Sequence, residues 1–328
     1  MALTSLDVVT EADLERELEW VRRKAADARA GLFGPTSVTW RVDREAVVFL
    51  GAGRALLLQL AHPWVAAAIA QHSRSLADPI GRFHRTFAYV LTMVFGTLGQ
   101  ALAAARALHR RHALISGVLP ECAGRFPAGS PYRANDVAAL RWVHATLLDS
   151  ALIAYQLLRP PLSDEEREQY YVESRVLAAL FGIPQSAVPQ SWAGFADYVA
   201  EMVGSDILAV SGPARRIAAE LFSGAGTGWR TPRWYRALTA RQMPLPLRQD
   251  FGLSYGPSDH RTAERGLAVL RCIQSFMPAA LRYVGPYHEA DARMAARTRP
   301  GFVTKALNRF WIGQTSMPFA DREADGWT

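Results

Sequence analysis

Two imidazoles stand one helical turn apart in the stretch ARALHRRHALISG, residues 105–117: His109 and His112, among Arg106, Arg110 and Arg111. Histidines so placed have three uses. They can join a bare metal site, supply an axial ligand to an iron cofactor, or pack in a core with their nitrogens bonded to carbonyls. Helical projection separates the two rings. With about 100° per residue, Ala101, Ala105 and Leu108 fall within about 40° of His112, and Ile115 within about 60°. His112 therefore sits in the middle of an apolar stripe with two small neighbours, and His109 at its edge. His144 is placed alike, sharing its face with Val137, Leu140, Leu148, Ala151 and Tyr155. Both His112 and His144 are expected to be buried.

A bare divalent ion is the weakest partner for these rings. No Asp or Glu occurs between Ala46 and Ala77, whereas zinc and non-haem iron sites usually mix His with carboxylate. HRRH also lacks the Glu and the i, i+4 spacing of a zinc helix. The neighbouring arginines repel a cation and welcome an anion. A haem held by one histidine, with propionates facing Arg, satisfies both conditions. The alternative is two core histidines with no cofactor.

A second polar face follows Asp78-Pro79. Taking Arg82 as reference, Thr86, Tyr89 and Met93 lie within about 40° and Arg85 at about 60°. Phe83, Phe87, Val90 and Val94 project elsewhere, and His84 points away. The helix is apolar nearly all round, so its polar face is expected either to line a cavity or to meet solvent.

Other motifs are empty. GAGRAL, residues 51–56, has Leu56 where a dinucleotide fingerprint needs its third Gly, and no strand precedes it. SGAGTG, residues 223–228, lacks the Lys of a phosphate loop. No G-x-S-x-G is present.

The elements that must position these residues are helical, because apolar residues recur at three and four rather than two. Helices are expected over 11–29, 43–59 and 63–73, then from Pro79 to Gly96 and from Leu98 to Ser116. Pro63 and Pro79 occupy first-turn positions, and Asp78 is an N-cap. Asn135-Asp136 caps a helix ending before Pro160, and Ser163 with Glu166 forms a capping box. Later helices are expected at 164–181, 191–204, 211–222, 231–241, 258–275, 277–283 and 287–297. No strand series is evident. The fold class is all-α, a single large domain at 31–300 behind an N-terminal surface helix at 1–30, with a C-terminal tail at 301–328.

Composition bounds the function. The chain has 328 residues, half of them hydrophobic, enough for a sizeable core. The net charge is +7, and only Lys24 and Lys305 are lysines among 37 basic residues. Those arginines are dispersed and not interleaved with aromatics, which argues against nucleic acid. Cys122 and Cys272 cannot build a disulfide framework. The start, MALTSLDVVTEADLEREL, is no secretory signal, and the apolar run Ala55 to Ala70 is interrupted by Gln59, His62 and Pro63. A cytoplasmic location is expected, without a spanning helix and with peripheral membrane contact left open.

The segments QLAHPWVAAAIAQHS, DPIGRFHRTFAYVLTMVFGT, HRRHALISG and SPYRANDVAALRWVHATLLDS follow in that order. In them the chain resembles the family of the latex-clearing protein, or rubber oxygenase, and the MpaB-type oxygenases, over about residues 33 to 290. R-x-x-R-T and W-V-H-A-T-L carry the likeness best. The resemblance implies an all-helical fold with a globin-like core. It implies a b-type haem on one histidine, and O₂ or peroxide chemistry on a small hydrophobic, isoprenoid-like substrate. By motif order the axial ligand corresponds best to His112, with His144 the alternative. Arg82 and Thr86 correspond to the family's Arg and Thr near the haem, and Tyr89 shares their face.

Two departures stand out. The rubber oxygenase has a Lys that can reach iron where Arg85 stands here, and a guanidinium offers no lone pair. That enzyme's upstream Glu has no counterpart in residues 46–77. Three readings remain: a haem oxygenase with His112 on iron and Arg82, Arg85 and Thr86 at the reacting centre; a haem or apolar-ligand carrier or sensor without turnover; and a cofactor-free helical scaffold. His62 and His72 are read as structural.

Overall fold

Side-chain caps punctuate the chain of this computed structural model, which describes residues 7–72, 78–224, 230–297 and 301–319. Thr10 with Asp13, Thr97 with Gln100 and Ser163 with Glu166 close capping boxes, each satisfying orphan N–H groups at a helix start. Asp78 accepts from the Gly81 N–H at 2.8 Å, with Pro79 beginning the helix. Asp136 rather than Asn135 caps the next long helix, accepting from the Ala139 N–H at 3.0 Å.

These caps open a nearly all-helical fold. In chain order the helices are α1 (Glu11–Lys24), α2 (Val38–Asp43), a 3₁₀ segment (Ala46–Gly51), α3 (Ala52–Leu60), α4 (Pro63–His72), α5 (Pro79–Phe95) and α6 (Leu98–Ala113). A hairpin of β1 (Ser116–Val118) and antiparallel β2 (Pro131–Arg133) follows, with Gly117 opposite Tyr132. Next come α7 (Val137–Leu158), α8 (Asp164–Leu180), α9 (Trp192–Gly204), α10 (Gly212–Ser223), α11 (Arg233–Gln242) and α12 (Leu245–Asp250). Last are α13 (Pro257–Phe276), α14 (Ala279–Arg282), α15 (Gly285–Met294) and α16 (Phe302–Ile312).

The differences from the sequence reading have local causes. α1 stops five residues early, where Ala25 turns extended. The expected helix over 43–59 is broken in two: α2 ends at Asp43, and a 3₁₀ segment precedes α3. α6 ends at Ala113, and Ser116 and Gly117 enter β1. The expected end of α4 at Ser73 and most of SGAGTG lie outside the described residues, as do residues 1–6 and 320–328 of the two termini. The tail contains a helix, α16, packed on α5 and α15. α1 is not merely superficial, since Leu14, Leu18 and Val21 are buried against α8.

α7 is the core helix, packed against the 3₁₀ segment, α3 and α8. It is the one described helix long and apolar enough by composition to cross a membrane, and most of that stretch is buried inside the protein. The Trp142 indole donates to the Leu58 carbonyl at 2.8 Å and ties it to α3. The paired glycines of GAGRAL serve packing. A Cβ on Gly51 would collide with the Ser150 carbonyl, and one on Gly53 would crowd the Thr239 hydroxyl. Arg54 of α3 is buried in the same contact. It pairs with Asp149 at 2.6 Å and donates to the Ser150 hydroxyl at 2.8 Å and the Gln242 carbonyl at 2.9 Å.

Candidate functional site

The helices do not close on one another in the middle. They line a partly open cavity of about 710 Å³, far larger than the voids of an ordinary close-packed interior and within the range of small-molecule sites. α5, α6, α7 and α8 supply much of its wall, and α2, α3, α4, the 3₁₀ segment, β2, α10 and α11 add to it.

Arg82, Arg85, Thr86, Tyr89, His112 and His144 all line this one cavity. For α6 the reason is the stripe read from the sequence. Ala101 and Ala105 are buried, and Leu108, His112 and Ile115 continue the stripe onto the wall. Arg106 projects the other way and pairs with Glu15 of α1 at 2.6 Å. α5 is less simply divided. Phe83, Phe87 and Val90 line the cavity as well, so the space wraps around that helix instead of meeting only its polar face.

The histidines sort by their partners. His109 bonds the Val9 carbonyl at 3.0 Å, and His84 bonds the Phe310 carbonyl at 3.0 Å. Neither is on the wall. His62 is buried away from it, beside Trp64 and Phe126. His72 does line the cavity, but its Nε2 bonds the Ser116 carbonyl at 2.9 Å and braces α4 against β1. His144 lines it too, with Nε2 spent on the Ser174 carbonyl of α8 at 2.9 Å. His112 is half-buried and faces the cavity, with the Asn135 side chain beside its ring. Asn135 in turn donates to the His109 carbonyl at 3.1 Å, which fixes the carboxamide.

Burial pushes the His112 ring down to about 4, helped by the positive Arg111 and by His109, while Asn135 opposes the shift. His144 is also pushed down to about 4, by burial, against its bond to Ser174. Both rings are neutral near pH 7 and keep a lone pair.

Positive charge converges on the same space. Arg82, Arg85, Arg111 and Arg133 line the cavity. Burial lowers the Arg82 pKa, and so do the charges of Arg85 and Arg111. Such a cluster favours an anion among the guanidinium groups. Arg85 is exposed and also pairs with Asp78 at 3.1 Å. Thr86 is likewise exposed.

Several residues on or beside the wall escaped the sequence reading. Asn135 looked like a cap beside Asp136. Asp43 looked like the start of a long buried helix, yet it ends α2 and lines the cavity with Thr39, one turn earlier. Burial raises the Asp43 carboxyl to about 7, against the lowering effect of the Tyr170 hydroxyl, with Glu173 adding to the rise. The stretch 46–77 has no carboxylate, as read, but the cavity does have one from just outside it.

Among the described residues no three His, Cys, Asp or Glu side chains come together as ligands for a metal ion. The donor set present is a single imidazole facing an apolar space with arginines nearby. That set suits a cofactor bringing its own in-plane donors and acidic edges, so the residues fit a haem.

Residues 40–272, well over half of the chain, match the family model described as ER-bound oxygenase mpaB/B'/rubber oxygenase, catalytic domain. No curated protein and no solved structure matches the chain. The matched span contains α3 to α8, hence the histidines, the arginines and most of the cavity wall. The chain therefore belongs to the family of the mpaB and rubber oxygenases and carries that family's oxygenase catalytic domain.

Proposed function

We propose that this protein is a b-type haem-dependent oxygenase acting on a small hydrophobic substrate in the cytoplasm. The observation that carries the reading is His112: an imidazole kept neutral, lying beside Asn135 and facing an apolar cavity with four arginines on its wall. When bound, haem would supply the activation of O₂ or peroxide. His112 would hold the iron. Arg82 and Arg111 would pair with the acidic edges of the ring, and Tyr89 would pack beside it. Thr86 offers a hydroxyl, and Arg85 a charge, on the α5 side of the space. Apolar side chains such as Leu108, Leu140 and Val143 exclude water from it. Cys122 and Cys272, unpaired and exposed, suit a reducing compartment.

The depressed pKa of His112 gives this reading a pH signature. An imidazole must be neutral to bind iron. Haem retention should therefore stay complete from pH 8 to about pH 5 and fall as pH approaches about 4, where the ring protonates. Absorbance after gel filtration at each pH measures it. A midpoint near 6.5 would show an exposed, ordinary histidine instead.

One observation favours a second reading, a haem or apolar-ligand carrier or sensor. Arg85 replaces a lysine expected from the family, so a step that needs that lysine is missing. Substrate-dependent O₂ consumption by haem-loaded protein decides between the two. Uptake above the substrate-free rate supports the oxygenase, and haem binding with no uptake for any apolar substrate supports the carrier.

A further inference from the structure

One corner of the cavity is polar, and it lies on α2 and α8 rather than on the α5–α6 wall. Glu173 of α8 anchors it. Its carboxylate accepts from the backbone N–H of Thr39 at 2.7 Å and of Val38 at 3.3 Å, at the start of α2. Thr39 and Asp43, one turn apart, share a face of α2 and line the cavity. Tyr170 of α8 lines it with them and donates to Asp43 Oδ1 at 2.9 Å.

The hydrogen bonds here are incomplete. Thr39 is 4 % exposed, and its hydroxyl has no partner. A buried hydroxyl without a partner is costly and calls for an explanation. Asp43 receives the Tyr170 bond and has acceptor capacity left over. Two other polar groups of the wall are already engaged: Ser150 accepts from Arg54, and Gln59 donates to Thr146.

We infer that Thr39, Asp43 and Tyr170 form a subsite for a hydroxyl group at one end of an otherwise hydrocarbon substrate. A hydroxyl accepts from Thr39 and donates to Asp43, so one small group completes both. Where Asp43 is ionised, above about pH 7, an ether or ketone can only accept and leaves Asp43 unanswered. A carboxylate end would face Asp43 with like charge. An ammonium end would enter a space already lined by Arg82, Arg85, Arg111 and Arg133. The inference names the substrate class of the oxygenase proposed above and rests on that reading for its role in turnover, but binding at the subsite does not require the cofactor.

Calorimetric titration of haem-free and haem-loaded protein well above pH 7, where Asp43 is ionised, with decanol and with methoxynonane, an ether of equal heavy-atom count, tests it. A net hydrogen bond is worth about 1 kcal/mol, roughly fivefold in affinity, so wild type should prefer decanol by at least about fivefold. Thr39→Val and Asp43→Asn should each bring the preference below about twofold without weakening the ether. Thr39→Val removes no bond within the protein, so its unfolding midpoint should match wild type. Equal binding of alcohol and ether to wild type, or a preference that survives both substitutions, overturns the subsite. A preference present in haem-free protein that never acquires a Soret band supports the subsite and rejects the haem reading alone.

Discussion

His112→Ala is expected to strip the protein of haem, lowering its affinity by more than about a hundredfold, while His144→Gln keeps it. Changing only the partner behind a metal-bound histidine typically costs about 10- to 100-fold, so removing the ligand itself should exceed that range. Both rings are neutral and both line the cavity. Their remaining bonds separate them. His144 Nε2 is committed to the Ser174 carbonyl across the α7–α8 contact, a bond that a glutamine amide can keep. His112 has the Asn135 carboxamide beside it and the cavity before it. Transfer of haem to a competing acceptor protein measures the effect. Full retention by His112→Ala together with loss in His144→Gln would move the ligand to α7.

Arg54→Met is expected to cost about 3–5 kcal/mol of stability, the usual penalty for breaking a buried pair from one side. That is a large share of the roughly 5–15 kcal/mol by which folded domains are stable. The substitution leaves Asp149 without its guanidinium and removes the donors to Ser150 and the Gln242 carbonyl. Urea unfolding reads the loss. Combining it with Asp149→Asn should recover part of it, because the stranded charge is then gone. A change below about 1 kcal/mol, the scale of a surface ion pair, would show that the pair is effectively solvated. Ser150 and Gly51 also line the cavity, so loosening this contact should weaken ligand binding secondarily.

What could be read from the sequence follows the physics of each element. The His112 stripe was legible because α6 is long and regular, so its face follows from the 3.6-residue period. α5 and α8 were legible from their caps, Asp78-Pro79 and Ser163 with Glu166. α2, α12 and α16 were not, being six, six and eleven residues long and defined by what they pack against. Thr39 and Asp43 escaped for that reason: distant bonds, among them those from Val38 and Thr39 to Glu173, more than 130 residues away, and from Tyr170 to Asp43, fix α2 against the cavity. Which of His109 and His112 faces inward was suggested by periodicity. That His109 turns to the Val9 carbonyl depended on an N-terminal segment whose path no local pattern predicts.

The central claim is tested most directly by the visible spectrum of the wild-type protein made with ample iron and haem precursor, followed by pyridine haemochrome quantitation. A Soret band and one b-type haem per chain are expected. A folded, colourless protein that takes up no haem when it is supplied would contradict it.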